Sequence, residues 1–520
     1  MLYNLVQVPY STGGSEPSLG VEQEMLEPIF TGRGKQVRQQ LAVIAVLAAA
    51  VLAAGCGAEV MKTPQKPNII FVLTDDQFPG TENEMPNLKS NVTSEGVKFT
   101  NTVSTFPLCC PARATIQRGQ YPHNTQILGN SLPKGGWQKF KNLGEQESTI
   151  ATWLHQAGYQ TGLFGKYMNN YTDWVIPPGW DRWYAWNGPS EGWTALNDQG
   201  TRKPLDWQEA DSLVAGEALK FLRNGLKGKA PLFTFVSFGA MHEPYYYAQI
   251  DADKFTGENV PRTPAFNEND VSDKPNYVRN QPKLSNSDIS EIDTSYQNGL
   301  RSLMRVDRFI ENASELLRRE GEMDKTYFVF YTDNGFHLGQ HRFMPGKLQP
   351  YEEDITFPLI VRGPGIPHGV IKSELIGNHD IAPTLADMGG ADVPAFVDGR
   401  SFLPLAQGTR TVWPRTAILS ERARGDEPPN KWDMLRMRGK VYTRHENGEN
   451  EYYDLATDPY QLHNAFQPDD PNKTPPAPDT ATREYYEQRL DALYECEGQR
   501  GPGSCGEAED APLLPGDTTP

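Results

Sequence analysis

Ile69-Ile70-Phe71-Val72-Leu73-Thr74-Asp75-Asp76 reads as a buried strand that ends in two carboxylates. A short continuous apolar run bounded by polar residues is the mark of such a strand. Three more stretches repeat the pattern. The run 161–164 leads into Lys166, 233–238 into His242, and 327–331 into Asp333 and Asn334. In open α/β sheets ligands sit beyond the carboxyl ends of the strands, so residues far apart in sequence share one pocket. That pocket would hold three carboxylates, an amide, a lysine and a histidine. Between the first two runs lies Cys109-Cys110-Pro111-Ala112-Arg113, which would add a cysteine-derived group and an arginine.

Outward from these runs, residues 67–408 alternate β-rich apolar stretches with helical ones. This is the pattern of an α/β domain with a mostly parallel central sheet flanked by helices. Helices are expected over 148–156, 380–388 and, longest of all, 287–319. Residues 249–285 have no clear period and are rich in Asn, Asp and Pro, which reads as a surface excursion over the active site. From 409 to 495 short strands replace the alternation, with Asn447-Gly448 as a hairpin turn, giving a small antiparallel C-terminal subdomain. A helix is expected near 481–494. The rest of the Pro- and Asp-rich segment from 467 reads as partly disordered, through a tail at 496–520.

The chain has 520 residues and a formal net charge of −17, with 38% hydrophobic residues, 42 prolines and 47 glycines. That length supports one large or two moderate domains. The acidic balance argues against a nucleic-acid partner, which leaves a basic footprint. It leaves room for a polyanionic substrate, since a pocket can be locally positive. Near the N-terminus Arg33, Lys35 and Arg38 precede an apolar run at 41–55 that ends Leu52-Ala53-Ala54-Gly55-Cys56. The run is too short to span a bilayer comfortably and has the flanks of a signal peptide. Its last residues resemble a bacterial lipobox, which implies cleavage before Cys56 and lipidation there. Residues 1–56 are then a leader and 57–66 a tether. The expected location is the cell surface, with a lipid anchor as the sole membrane contact. Plain secretion is the alternative. In an exported chain Cys496 and Cys505 are a candidate disulfide across a short Gly/Pro-rich loop, with two free thiols as the other reading.

The strand-end residues suggest a metal. Two adjacent carboxylates repel unless a cation lies between them. Asp75 and Asp76 with Asp333 and Asn334 make an all-oxygen set, which suits Ca²⁺ or Mg²⁺ rather than a soft metal. Pro111 suits the first turn of a helix and Gly119 its C-terminal cap. Cys109 would then stand at a helix N-terminus, where backbone N–H groups favour an anion. Arg113, four residues on, would point to the same place.

Cys109-x-Pro111-x-Arg113, with Gly119 and Pro122 downstream, resembles the signature of type I sulfatases. Residues 69–77 resemble that family's first metal strand, and Asp333-Asn334-Gly335-Phe336-His337 its second metal motif. Residues 108–124, 165–171 and 453–464 are similar to N-acetylglucosamine-6-sulfatases. The resemblance implies an alkaline-phosphatase-like fold and hydrolysis of sulfate monoesters, 6-O-sulfated N-acetylglucosamine in glycans foremost. It implies that Cys109 is converted to Cα-formylglycine by a formylglycine-generating enzyme. It gives Asp75, Asp76, Asp333, Asn334 and the group made from Cys109 the cation, Ca²⁺ with Mg²⁺ as alternative. Arg113, Lys166 and Lys347 would hold the nucleophile and the sulfate. His242 would protonate the leaving oxygen. Asn169 and His337 are further substrate-binding candidates, His337 having a brace for the metal loop as its equal alternative. The chain departs from the usual pattern at Ala112 and Met168, where many relatives carry serine and histidine. Three other readings stand beside this one: an arylsulfatase of other specificity, a phosphate or phosphonate ester hydrolase of the same superfamily, and a lipoprotein that binds sulfated glycans without turnover.

Overall fold

The computed structural model describes residues 65–189, 194–422, 431–466 and 477–514. The apolar run at 41–55, Cys56 and most of the tether lie outside the described residues. From Gln65 onward the chain is one compact unit.

Sixteen strands are described. They are β1 (Asn68–Thr74), β2 (Val97–Phe99), β3 (Thr102–Val103), β4 (Gln160–Gly165), β5 (Arg182–Asn187), β6 (Ala195–Asp198), β7 (Thr201–Pro204) and β8 (Leu232–Ser237), then β9 (Thr326–Thr332), β10 (Leu359–Arg362), β11 (Val370–Lys372), β12 (Ile376–Gly377), β13 (Ala417–Arg422), β14 (Trp432–Met437), β15 (Lys440–His445) and β16 (Glu451–Asp454). The main sheet has the order β11-β2-β10-β9-β1-β8-β4-β5-β6-β7. Its centre, β9-β1-β8-β4-β5, is parallel. Strands β10 and β6 run against the centre on its two sides, and β7 pairs antiparallel with β6. The four runs read from the sequence are therefore β1, β4, β8 and β9, and their carboxyl ends lie side by side.

Strand β1 is buried along its whole length because it is covered on both faces. Side chains alternate across a strand. Ile69, Phe71 and Leu73 pack with the helices Ile150–Gln156 and Ile381–Gly389. Ile70 and Val72 pack with the helices Ala210–Gly225 and Asn286–Arg319. The long helix starts in a capping box, Ser285 and Asp288 each accepting from the other's backbone N–H, which stops it running back into the excursion.

Strands β13-β14-β15-β16 form a separate antiparallel sheet, with the helix Thr480–Glu495 packed on it. The excursion at 249–285 bonds to the segment after β16 and to the loop after β9. The buried Lys274 donates to the Leu462 carbonyl at 2.6 Å, and Asp273 accepts from the Asn464 N–H at 2.7 Å. Glu268 pairs with His341 at 2.7 Å.

The tail carries the expected disulfide and adds a buried helix that its composition did not suggest. Cys496 and Cys505 are joined as a disulfide. The helix Cys505–Asp510 buries Glu509 completely. Its carboxylate accepts from Arg415, Arg400, Tyr121 and His379, so the tail is part of the core. Pro, Asp and Gly content marks a segment as loop-forming. It does not register one carboxylate that finishes a buried charge network.

Candidate active site

Cys109 opens the helix Cys109–Arg118, preceded by the extended Leu108 and closed by Gly119 at φ 71°. A Cβ at Gly119 would lie 2.8 Å from a Val397 methyl, so only glycine suits both that conformation and that space. The cap thus fixes where the helix ends, and with it where Cys109 begins.

The thiol is 1% exposed. Lys347 Nζ donates to its Sγ at 2.8 Å, and Sγ lies 3.5 Å from Asp75 Oδ1 and 4.0 Å from Asp76 Oδ1. One turn along, Arg113 Nε donates to Asp333 Oδ2 at 2.8 Å. Its Nη1 donates to Ser237 Oγ at 2.8 Å and to the Lys166 carbonyl at 3.0 Å, and its Nη2 lies 3.5 Å from Asp75. Lys166 pairs with Asp75, and Lys347 with Asp76. Asn334 donates from Nδ2 to Asp76 Oδ1 at 2.6 Å. Its own Oδ1 is buried without a partner.

Three carboxylates therefore face three cations in a nearly dry site, and their ionisation shows it. Burial works to raise Asp75, but Lys166 and then Arg113 hold it well below the usual carboxylate range. Burial and then the Asp75 charge push Asp333 up to about 6. Burial pushes the Cys109 thiol up to about 12 against the pull of Lys166 and Lys347.

The arrangement fits a hard divalent cation. The orphaned Asn334 oxygen lacks only a cation or a donor. Asp75, Asp76, Cys109 and His242 offer ligand atoms within 4.8 Å of one another. Asp333 also accepts from Arg113 and from the backbone N–H groups of Asn334 and Asp76. His242, which sequence reasoning placed at the leaving oxygen, thus stands beside the residues it gave to the cation. Its Nε2 lies 3.6 Å from Asp76 Oδ2, and its Nδ1–H donates to the Glu243 carbonyl at 2.6 Å.

The two further substrate-binding candidates have partners of their own. His337 pairs with the buried Asp354 at 2.8 Å, and Asp354 also accepts from the Gln349 N–H at 2.7 Å. That favours the bracing role: His337 and Asp354 hold the loop that carries Lys347. Asn169 is buried, and its carbonyl accepts from the Trp137 N–H at 2.8 Å.

Sequence reasoning missed Ser237, Asp354 and Asp211. Asp211, early in the helix Ala210–Gly225, accepts from the Gly239 N–H at 2.9 Å. The turn it holds is stitched to β1, because Asp75 N–H donates to the Ala240 carbonyl at 2.8 Å and Met241 N–H to the Asp75 carbonyl at 2.6 Å. Asp211 thereby fixes both His242 and Asp75. The available signal was weak: an aspartate in a first helical turn reads as a dipole partner.

A sulfatase family model matches residues 67–391, and a second model, N-sulphoglucosamine sulphohydrolase, C-terminal, matches 339–475. An extracellular sulfatase Sulf-1 homolog of Caenorhabditis elegans is 36% identical over 349 residues, covering 65% of this chain and 49% of that protein. The chain thus spans about half the length of that relative. The Homo sapiens N-acetylglucosamine-6-sulfatase is 31% identical over 375 residues, covering 69% of this chain and 67% of the relative. Among solved structures, one bound to its substrate D-glucosamine-2-N,6-O-disulfate superposes with a TM-score of 0.67 at 23% identity, covering 83% of this chain and 97% of the other. At that identity the likeness carries the fold, which is the alkaline-phosphatase-like one expected above.

Proposed function

The chain belongs to the sulfatase family, and from that premise we propose that it hydrolyses sulfate monoesters, with the 6-O-sulfate of N-acetylglucosamine in glycans as its substrate. The observation that carries the reaction is the convergence of Asp75, Asp76, Asp333, Arg113, Lys166 and Lys347 on Cys109 at the head of its helix. The sugar is supported by the N-acetylglucosamine-6-sulfatase relative and by the disulfated glucosamine named as substrate of the structural neighbour.

Asp75, Asp76, Asp333 and Asn334 would hold Ca²⁺, with Mg²⁺ as the alternative. Once bound there, and with Cys109 oxidised to formylglycine, the site gains a Lewis acid and a hydrated-aldehyde hydroxyl to attack sulfur. The protein side chains supply the rest. Three carboxylates and three cations leave the cluster near neutral, so a divalent cation makes it positive, the sign that an anionic ester needs. Lys166 and Lys347 then draw the sulfate oxygens toward position 109. Arg113, locked by Asp333 and Ser237, cannot swing away. The His242 Nδ1–H is committed to the Glu243 carbonyl, which leaves Nε2 as the nitrogen that takes up a proton, and the imidazolium so formed would give that proton to the departing sugar oxygen. The S–O bond breaks, that oxygen takes the proton, and the sugar leaves as an alcohol. A formylglycine-generating enzyme is the required maturation partner. Export agrees with the extracellular relative, and Cys56 is the proposed lipid anchor.

The test is free sulfate released from 6-O-sulfated N-acetylglucosamine oligosaccharides, beside an aryl sulfate and an aryl phosphate, using protein made in a host with the modifying enzyme. Sulfate from the sugar supports the whole reading. Turnover of aryl sulfate alone discards the sugar, and preference for phosphate moves the chain to ester hydrolysis of the other class. In the same assay Asp211→Asn is expected to lower kcat about tenfold with KM little changed, since misplacing a proton donor slows chemistry more than binding. A change confined to KM would remove Asp211 from the positioning of His242.

A further inference from the structure

A cleft of about 460 Å³ opens at the opposite end of the main sheet from Cys109. Arg362, the last residue of β10, pairs in register with Phe328 near the start of β9. That is about 17 Å from Asp333 at ~3.3 Å per residue along the strand. The other walls are Arg318 in the last turn of the long helix, Met323 and Asp324 just after it, and Ser90 and Glu95 before β2.

Arg362 is 8% exposed, yet it is poorly matched. Its Nη1 donates to the Asn91 carbonyl at 2.9 Å. Its Nε is buried with no partner, and its Nη2 reaches only Asp324 at 3.4 Å, a carboxylate 97% exposed. A partner so open to water holds a charge weakly. Burial pulls the Arg362 guanidinium below the usual arginine range, Glu95 and Asp324 oppose that pull, and Arg318 adds repulsion. Arg318 is itself tied to the Asn91 side chain, so both guanidiniums are pinned by one residue to one side of the cleft.

We propose that this cleft binds a sulfate- or carboxylate-bearing sugar unit of a glycan, separately from the catalytic centre. An oxyanion at the arginine pair supplies the acceptor that Arg362 lacks and offsets the repulsion between the two cations. Guanidinium groups take such oxyanions by two-point hydrogen bonding. Asp324, Ser90 and Glu95, the last also paired with His368 at 3.2 Å, offer acceptors to sugar hydroxyls, and Met323 provides an apolar wall. The volume is that of a small-ligand site, well beyond one inorganic anion. A chain of net charge −17 does not gather polyanions at large, so a paired-arginine cleft is a local exception. The choice of a sugar rests on the sulfatase reading, in which the substrate is a polymer with anionic groups on neighbouring units.

The experiment is hydrogen exchange by mass spectrometry on the full protein, with a 6-O-sulfated N-acetylglucosamine oligosaccharide and, separately, inorganic sulfate. The oligosaccharide is expected to slow exchange over 318–325 and 90–95, and Arg318→Glu to abolish that protection. Arg318 is exposed, so this reversal spares the fold, and Arg362→Met is the harsher second variant. Arg318→Glu is also expected to raise KM for the oligosaccharide about tenfold, with kcat and aryl sulfate turnover unchanged. Unchanged exchange in both segments, at a concentration that protects the loop 333–347, overturns the proposal. Equal protection by inorganic sulfate overturns the sugar assignment. Failure to turn over any sulfate ester overturns the sulfatase reading instead, and the 318–325 segment still decides the cleft.

Discussion

Cys109→Ala is expected to cut sulfate release by at least about 10⁴-fold, because removing a covalent nucleophile leaves only binding and charge stabilisation. The fold should survive. The thiol fills little space, and Lys347 keeps Asp76 when Sγ is gone. Substrate binding should survive as well, since Arg113 and Lys166 keep their partners. The informative control is Cys110→Ala. Cys110 is equally buried but packs into the apolar layer with Ala114 and Ile116, on the other side of the helix start. Its loss should cost about 1–2 kcal/mol of stability at one small core side chain and leave kcat within a few-fold. Intact-protein mass adds a second readout, since conversion of a cysteine to formylglycine lowers the mass at position 109 alone. A Cys109→Ala protein within tenfold of wild-type rate would take the residue out of the chemistry altogether.

The contrast between adjacent cysteines also shows how much was legible in the sequence. Strand runs such as 69–73 and 327–331 announce themselves because a doubly covered strand has no polar face. The polar residues after each run must then lie at a sheet edge. Pro111 and Gly119 bracket a helix by backbone rules alone, so the place of Cys109 came from local chemistry. The residues that were missed act only through tertiary contacts. Asp211 is an ordinary helix-start aspartate until Gly239 arrives from the end of β8. Asp354 becomes a brace only when His337 folds back onto it. The excursion at 249–285 read as a loop by composition, and its composition did not tell that Asp273 and Lys274 find their partners near 462–464 in the C-terminal part. Pairings at such separations leave no periodic trace in the chain.

Glu509→Ala is the substitution expected to cost the most stability, about 3–5 kcal/mol, the range for removing one member of a buried charge network. Glu509 Oε1 accepts from Tyr121 and His379 at 2.7 Å each, and Oε2 accepts from Arg400 and from Arg415 Nε at 2.9 Å each. Without it Arg415 keeps Asp380, but Arg400 falls back on Asp510 at the edge. Two buried guanidiniums then share too few acceptors. Burial would raise Glu509, but Arg415, His379 and Arg400 hold it well below the usual carboxylate range. A depressed folded-state value stabilises the fold above the unfolded glutamate value, ~4.3, and that stability is lost as pH falls toward the folded one. Wild-type stability should therefore decline in acid below about pH 4, and Glu509→Gln, which keeps the shape without the charge, should decline less steeply there. Urea unfolding at pH 7 and at pH 3.5 measures both. The Tyr121 end of the network leads to the Cys109 helix through Asp398, which accepts from the Tyr121 N–H at 2.7 Å and whose own N–H donates to the Gly119 carbonyl at 2.9 Å. Loss of Glu509 should thus loosen the helix cap as well as the tail, and faster hydrogen exchange at 117–121 in Glu509→Gln is the expected sign. An unchanged rate there would confine the network to holding the C-terminal helix.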